Sequence, residues 1–128
     1  MAEERKEEII NKSGLDFLRD INFVEKSEGR FFQKRKEDLG EGLKQFYVIL
    51  LPRVESPVHD HKNENMMETH LLLYGSGRFV VYGGNERILK LKKGKFHPVF
   101  TTPNFSPRHK YIAGQKGSIC LALEKHYD

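Results

Sequence analysis

Residues 57–75 read PVHDHKNENMMETHLLLYG and contain three of the six histidines of this 128-residue chain. His59 and His61 are two positions apart, and so are Glu68 and His70. In a β-strand, side chains two positions apart point to the same face of the sheet. This stretch therefore predicts two successive strands, each of which places a pair of polar side chains on one face.

The sequence around this stretch also has the pattern of β-structure. From Gly29 onward, short apolar or alternating runs are separated by clusters of Gly, Pro, Asn and Lys, which is typical of successive strands in a sandwich or barrel. Gly83-Gly84-Asn85 predicts a tight hairpin, and Gly75-Ser76-Gly77 predicts a tight connection between two strands. The predicted strands are Arg30 to Lys34, Lys44 to Pro52, Ser56 to His61, Glu68 to Tyr74, Arg78 to Tyr82, Glu86 to Leu91, Phe96 to Phe100, His109 to Ile112, and Ser118 to His126.

The N-terminal part differs in composition. Residues Glu3 to Asn11 are dense in Glu, Lys and Arg, which suits a short surface helix or a frayed tail. The mixed apolar spacing from Leu15 to Phe23 suits a short helix or an edge strand that packs on the body. We therefore expect one domain, with residues 1–29 as an N-terminal helical or edge segment and residues 30–128 as a β-barrel.

Charge and hydropathy exclude several classes of function. The chain has 22 Lys and Arg against 18 Asp and Glu, and the two signs are interspersed. Its densest basic run, Lys90 to Lys95, lacks the aromatic residues or reader motif of a nucleic-acid site, so we predict no nucleic-acid partner. No apolar run reaches the roughly 18 residues of a membrane span, and the N-terminus is charged, so we predict no membrane partner and a cytoplasmic location.

The chain has a single cysteine, Cys120, which excludes an internal disulfide. It lies in the apolar run from Ser118 to Leu123, where a free cysteine behaves as a small hydrophobic residue. We predict that Cys120 is buried and is not a nucleophile.

A further histidine that could lie beside the polar side chains of residues 57–75 comes later in the chain. His109 follows Pro107 at the start of a predicted strand. His59 and His61 would supply imidazole nitrogens from one strand, Glu68 a carboxylate from the next, and His109 a further imidazole. These four residues are the predicted metal ligands, and Glu64 is the alternative carboxylate.

The spacing of these residues resembles that of the cupin superfamily. Its first motif has the form Gly-(x)5-His-x-His-(x)3,4-Glu-(x)6-Gly, which is similar here to His59-x-His61 followed by Glu68, six residues and Gly75. Six residues separate His61 from Glu68, and Arg53 stands in place of the first glycine. The second motif is matched loosely by Gly94, Pro103 and His109. The resemblance covers about Lys44 to His126.

The resemblance implies an all-β protein with a cupin-type double-stranded β-helix, or jelly-roll barrel, behind a short N-terminal helical segment. It also implies one divalent metal ion, Fe, Mn, Ni, Co or Zn, because three imidazoles and one carboxylate form a mixed site of borderline hardness. His70 is a fourth nitrogen ligand, a proton carrier or a core histidine. The predicted catalytic residues are His70 and His97.

Three hypotheses for function follow. The first is a metal-dependent enzyme, an isomerase, dioxygenase or lyase, that acts on a small polar metabolite. The second is a protein that binds or senses a sugar or organic acid without converting it, and the third is a structural protein. Short cupins commonly pair through their edge strands, so a homodimer is expected, with residues 15–34 as the interface or exchanged segment.

Overall fold

The computed structural model describes residues 1–59, 65–82, 87–101 and 108–127. Its helical part consists of helix α1 and a short 3-10 helix, which span Ala2–Ser13 and Asp16–Asp20. All later regular elements in the described ranges are strands. These are β1 (Phe23–Ser27), β2 (Arg30–Gln33), β3 (Glu37–Gly40), β4 (Leu43–Leu50), β5 (Met66–Val81), β6 (Arg87–Lys90), β7 (Phe96–Thr101) and β8 (His109–His126).

Helix α1 packs on the outer face of the sheet. Ile9 and Ile10 are buried in one cluster with Ile49 of β4 and Ile119 of β8. Gly14 ends the helix in the left-handed conformation, with φ of 73°, where a glycine is favoured. The predicted N-terminal helix is thus confirmed, and the apolar pair of an otherwise charged segment anchors it. No helix within the described ranges has the length and apolarity that crossing a membrane requires.

The strands form one antiparallel sheet in the order β1-β2-β4-β8-β5-β6, with β3 also paired to β4 and β7 also paired to β5. The long strands β5 and β8 pair over most of their length, with shifts of register between Leu72 and Tyr74 and between Gly75 and Gly77. The first part of β5 also pairs with β7, and its last part pairs with β6. Because β-bulges bend a strand, β5 and β8 can contribute to both halves of the sheet.

The central strands carry buried residues on both faces, and neighbouring residues of a strand point to opposite faces. Val48 and Cys120 belong to the inner cluster, whereas Ile49 and Ile119 belong to the outer cluster beneath α1. Cys120 is 4% exposed, which confirms that it is a buried residue. Of the predicted ligands, His59, Glu68 and His109 lie on the side of the inner cluster.

The boundaries of the long strands correct the sequence prediction. Gly75-Ser76-Gly77 does not connect two strands, because β5 runs through it with a shift of register. Likewise, the predicted strands His109 to Ile112 and Ser118 to His126 form the single strand β8. A glycine-rich segment bends a strand here because the partner strand continues to pair on both sides of it.

Two short strands are absent from the prediction, and one predicted strand is reduced to bridges. The strands β1 and β3 lie largely exposed, so they lack the apolar alternation that marks a strand. Residues 60 and 61 of the predicted strand Ser56 to His61 lie outside the described residues, and the described residues 53–59 pair with β8 through isolated bridges at Glu55 and His59. The predicted hairpin Gly83-Gly84-Asn85 lies outside the described residues.

Candidate functional site

A cavity of about 380 Å³ opens on the inner face of the sheet. This volume suits a small metabolite, since ligand pockets typically enclose about 300–1,000 Å³. Much of its wall is apolar and includes Phe32, Phe46, Val48 and Phe79. Four predicted site residues also line it, namely His59, Glu68, His70 and His109. The fold therefore gathers into one cavity residues that are as much as 50 positions apart in the chain.

Glu68, which is buried, and His70, which is partly buried, form a pair on β5. Both face the cavity because they are two positions apart in a strand. Oε1 of Glu68 lies 2.5 Å from Nε2 of His70. An ionised carboxylate only accepts hydrogen bonds, so Nε2 of His70 donates, and the neutral ring carries its lone pair on Nδ1. The pair therefore orients an imidazole that can accept a proton at Nδ1.

His59 and His109 form a second pair. His109 begins β8 and is fully buried, and its backbone exchanges hydrogen bonds with that of His59. The centroids of the two rings are 4.3 Å apart. The backbone bridge thus places two imidazoles side by side at the cavity wall.

A backbone carbonyl sets the tautomer of His59. Nδ1 of His59 lies 2.9 Å from the carbonyl oxygen of Pro57. Because a carbonyl oxygen can only accept, Nδ1 donates, and the lone pair of the neutral ring is on Nε2. Metal-ligating histidines usually donate their other ring nitrogen in this manner, so the local structure suits His59 as a ligand.

The ring of Phe79 packs against both pairs. Its centroid is 4.8 Å from that of His70 and 6.1 Å from that of His109.

Within residues 1–59, 65–82, 87–101 and 108–127, no group of three His, Cys, Asp or Glu side chains could hold a metal ion. The predicted ligand His61 and its neighbour Glu64 lie outside the described residues. The donor types fit a divalent ion.

Glu124 is a cavity residue that the sequence prediction missed. It is 7% exposed on β8, directly opposite Glu68 on β5. Its Oε1 lies 2.9 Å from Nζ of Lys36 and 3.3 Å from Nε2 of His126. The alternation of Cys120, Ala122 and Glu124 along β8 was the available signal, since it puts the carboxylate on the inner face.

His97 is next to the site but does not line the cavity. It is paired with His70 across β5 and β7, so both side chains are on the same face of the sheet. Its Nε2 accepts a hydrogen bond of 3.0 Å from the backbone N–H of Lys92. Proton transfer by His97 stays a prediction, and the geometry favours His70 for this role.

Cys120 and Tyr111 are buried residues of the cavity wall, and each has a side chain that can lose a proton. Burial raises the pKa of the Cys120 thiol to about 12 and that of the Tyr111 phenol above its usual range. The hydroxyl of Tyr111 lies 3.8 Å from the sulfur of Cys120. Both groups are therefore neutral near pH 7, and Cys120 is unsuited to act as a thiolate nucleophile.

Comparisons with known structures identify the fold of this chain. The chain superimposes on KdgF from Halomonas sp. with a TM-score of 0.65 and 14% identity over 86% of this chain and 90% of that one. An RmlC-like cupin from Shewanella frigidimarina gives a TM-score of 0.63 and 15% identity over 85% and 86% of the two chains. The chain has the cupin fold. The predicted jelly-roll barrel with a short N-terminal helix is thereby confirmed.

The cupin fold is also shared with a larger enzyme. A variant of oxalate decarboxylase from Bacillus subtilis gives a TM-score of 0.68 and 19% identity over 85% of this chain, which spans 28% of that one. No protein-family model matches this sequence, and no curated protein sequence is detectably similar to it. At these identities the likeness concerns the fold, and a fold does not determine the chemistry of its cavity.

Proposed function

We propose that this cupin is a metal-dependent enzyme that acts on a small polar metabolite in the cavity, with isomerase, dioxygenase or lyase chemistry. The proposed metal ligands are His59, His61, Glu68 and His109, and the ion is Fe, Mn, Ni, Co or Zn. His70 is the proposed proton carrier. The observation that carries the proposal is that His59, Glu68, His70 and His109 all line one cavity with largely apolar walls.

The cost of burial supports a functional role for these groups. Glu68 and His109 are both less than a tenth exposed. Removing such polar groups from water is unfavourable unless they gain partners, and a cluster of them in a cleft is a candidate for a functional site. A site for metabolite chemistry explains why the barrel retains them where apolar residues would pack more favourably.

The donors fit the proposed ion by type and by tautomer. Imidazole nitrogen and carboxylate oxygen together suit divalent ions of borderline hardness. The hydrogen bond from His59 to the Pro57 carbonyl leaves the lone pair on Nε2, the atom that would bind the metal. When bound, the ion would polarise an oxygen of the metabolite as a Lewis acid.

Other side chains of the cavity would transfer a proton and exclude water. Glu68 orients His70, whose Nδ1 would take a proton from the metabolite and return it. Phe32, Phe46 and Phe79 line the cavity and exclude bulk water, which strengthens electrostatic interactions within it.

A binding or sensor protein is the second candidate. One observation favours it: the described donors are grouped in pairs, and Oε1 of Glu68 is engaged by His70. Such a cavity could hold a metabolite without a metal and without converting it.

Turnover measurements distinguish the two candidates. The full chain, loaded in turn with each of the five metals, is assayed against sugars, keto acids and catechols. The enzyme proposal predicts that the metal-loaded wild-type chain turns over at least one of these compounds. The His59→Ala variant, treated with the same metals, should show no turnover. Absence of turnover by the metal-loaded chain across this panel, together with a ligand recovered unchanged, would establish the binding protein instead.

A further inference from the structure

Cationic side chains line one side of the cavity. Lys26 of β1, Arg30 of β2, and Lys34 and Lys36 after β2 all contribute to it. The described part of the lining contains two carboxylates, those of Glu68 and Glu124. The described lining of the cavity therefore carries a positive charge when its histidines are neutral.

Both carboxylates are already engaged by other groups. Glu124 pairs with Lys36 at 2.9 Å, and Glu68 pairs with His70 at 2.5 Å. No carboxylate among the described residues forms an ion pair with Lys26, Arg30 or Lys34. These three cations thus give the cavity a positive charge that the described structure does not compensate.

Arg30 is held in a position suited to anion binding. Its Cζ lies 5.1 Å from the centroid of the Phe32 ring, and it donates from Nη1 to Oγ of Ser27 at 3.1 Å. Its buried Nε has no acceptor among the described residues. Burial also lowers the pKa of this guanidinium, because the charge has lost part of its hydration. A stacked arginine keeps the edge of its planar fork available for an oxyanion.

Arg30 and His70 line the same cavity from strands β2 and β5, which β4 and β8 separate in the sheet. Arg30 is therefore on a different part of the cavity wall from His70, and a small metabolite bound at Arg30 would lie in the same cavity as His70.

We propose that the cavity binds a small metabolite through an oxyanion, a carboxylate or a phosphate, that Arg30 holds while Lys26 and Lys34 add positive potential. This inference rests on the proposed function only in placing the ligand in the same cavity. It requires neither the metal nor turnover.

Calorimetric titration of the full chain with matched compounds tests the proposal. The first series is glucose, glucuronate and glucose 6-phosphate, and the second is glycerol, glycerate and glycerol 3-phosphate. At least one anionic member should bind more tightly than its neutral parent, and whether it is the carboxylate or the phosphate identifies the oxyanion. Repeating the titrations after chelator treatment separates this result from the metal proposal, since the anion preference should persist.

Variants test the assignment to Arg30. Arg30→Gln should weaken binding of the anionic member by about tenfold or more, because a charged hydrogen-bonding partner is lost. Arg35→Gln removes the same charge from a residue that does not line the cavity, and it should leave binding nearly unchanged. Lys34→Gln, at an exposed position where folding is not at risk, should weaken binding several-fold. Equal binding of anionic and neutral compounds, or equal effects of the Arg30 and Arg35 variants, would overturn the proposal.

Discussion

Glu68 combines two proposed roles in one carboxylate. Its Oε1 accepts the hydrogen bond from His70, and the same side chain is a proposed metal ligand. A carboxylate has two oxygens and several lone pairs, so it can orient an imidazole with one oxygen and bind an ion with the other. This arrangement would couple the position of the metal to the position of the proton carrier.

Replacing His70 should separate proton transfer from metal binding. The His70→Gln variant should lose about 10²–10⁴-fold in turnover, the usual contribution of a general acid or base, while it retains its metal. The His97→Gln variant should retain most activity, because His97 is bonded to the Lys92 backbone outside the cavity lining. Loss of activity in the His97 variant alone would identify His97 as the proton carrier.

The buried acids of the cavity wall predict weaker stability at alkaline pH. The pKa of Cys120 is raised from 9.0 to about 12 in the folded chain, so folding favours the protonated thiol. This stability is fully present below pH 9 and is lost as the pH rises toward 12. The loss from Cys120 should be on the order of 2 kcal/mol by pH 11.

Urea unfolding of the full chain between pH 8 and 11 measures this loss. The Cys120→Ala variant should show a shallower decrease in the free energy of unfolding, because it has no thiol to deprotonate. Identical pH dependence in the two proteins would show that the thiol is not shielded as the structure indicates.

The polar residues of the site differ in how far sequence predicts them. Glu68 and His70 were predicted as site residues because alternation within one strand puts both on one face, and both line the cavity. Glu124 and Arg30 were missed as site residues because their importance arises from register across strands. Glu124 faces Glu68 only through the pairing of β5 with β8, which a single segment does not specify.

At the scale of elements, the bulges of β5 determine how the sheet bends. Gly75 has φ of 80°, and a Cβ there would overlap the carbonyl oxygen of Gly117 on the paired strand. Only glycine allows both the left-handed backbone and this close approach. The residue that reads as a turn in the sequence is the residue that keeps β5 continuous.

Substitution of Gly75 should therefore be costly. Gly75→Ala should lower the free energy of unfolding by about 3 kcal/mol or more, because it adds a clash with the backbone to the strain of a positive φ. Gly94→Ala is the matched control, since Gly94 also has φ of 80° but no atom lies within 4 Å of its added Cβ. The control should lose about 1–2 kcal/mol. If urea unfolding gave equal losses in free energy for the two substitutions, the clash with the Gly117 carbonyl would not contribute to the cost at Gly75.

The length of the strands was the part of the fold that sequence predicted least well. Strands β5 and β8 were each divided at a glycine-containing segment, because Gly and Ser between apolar runs usually mark a turn. A bulge and a turn differ only in whether a partner strand continues alongside, and that is a property of the sheet.

For the whole molecule, we propose a homodimer that forms through exposed edge strands. β1 and β6 are the two ends of the main strand order, and Val24 on β1 is 37% exposed. Light scattering should give twice the mass of the 15.0 kDa chain. Val24→Lys should shift the mass toward that of the monomer, whereas Ile88→Lys on β6 should not, because the expected interface is within residues 15–34. A monomeric wild-type chain would contradict the proposal.

The metal content of the cavity tests the central claim most directly. The freshly purified full chain and its His59→Ala variant are compared by elemental analysis, with thermal unfolding recorded before and after chelation. We predict about one divalent ion per wild-type chain, little in the variant, and a lower unfolding temperature of the wild-type chain after chelation. A wild-type chain without a stoichiometric ion, whose unfolding temperature does not change with chelator, would contradict the account.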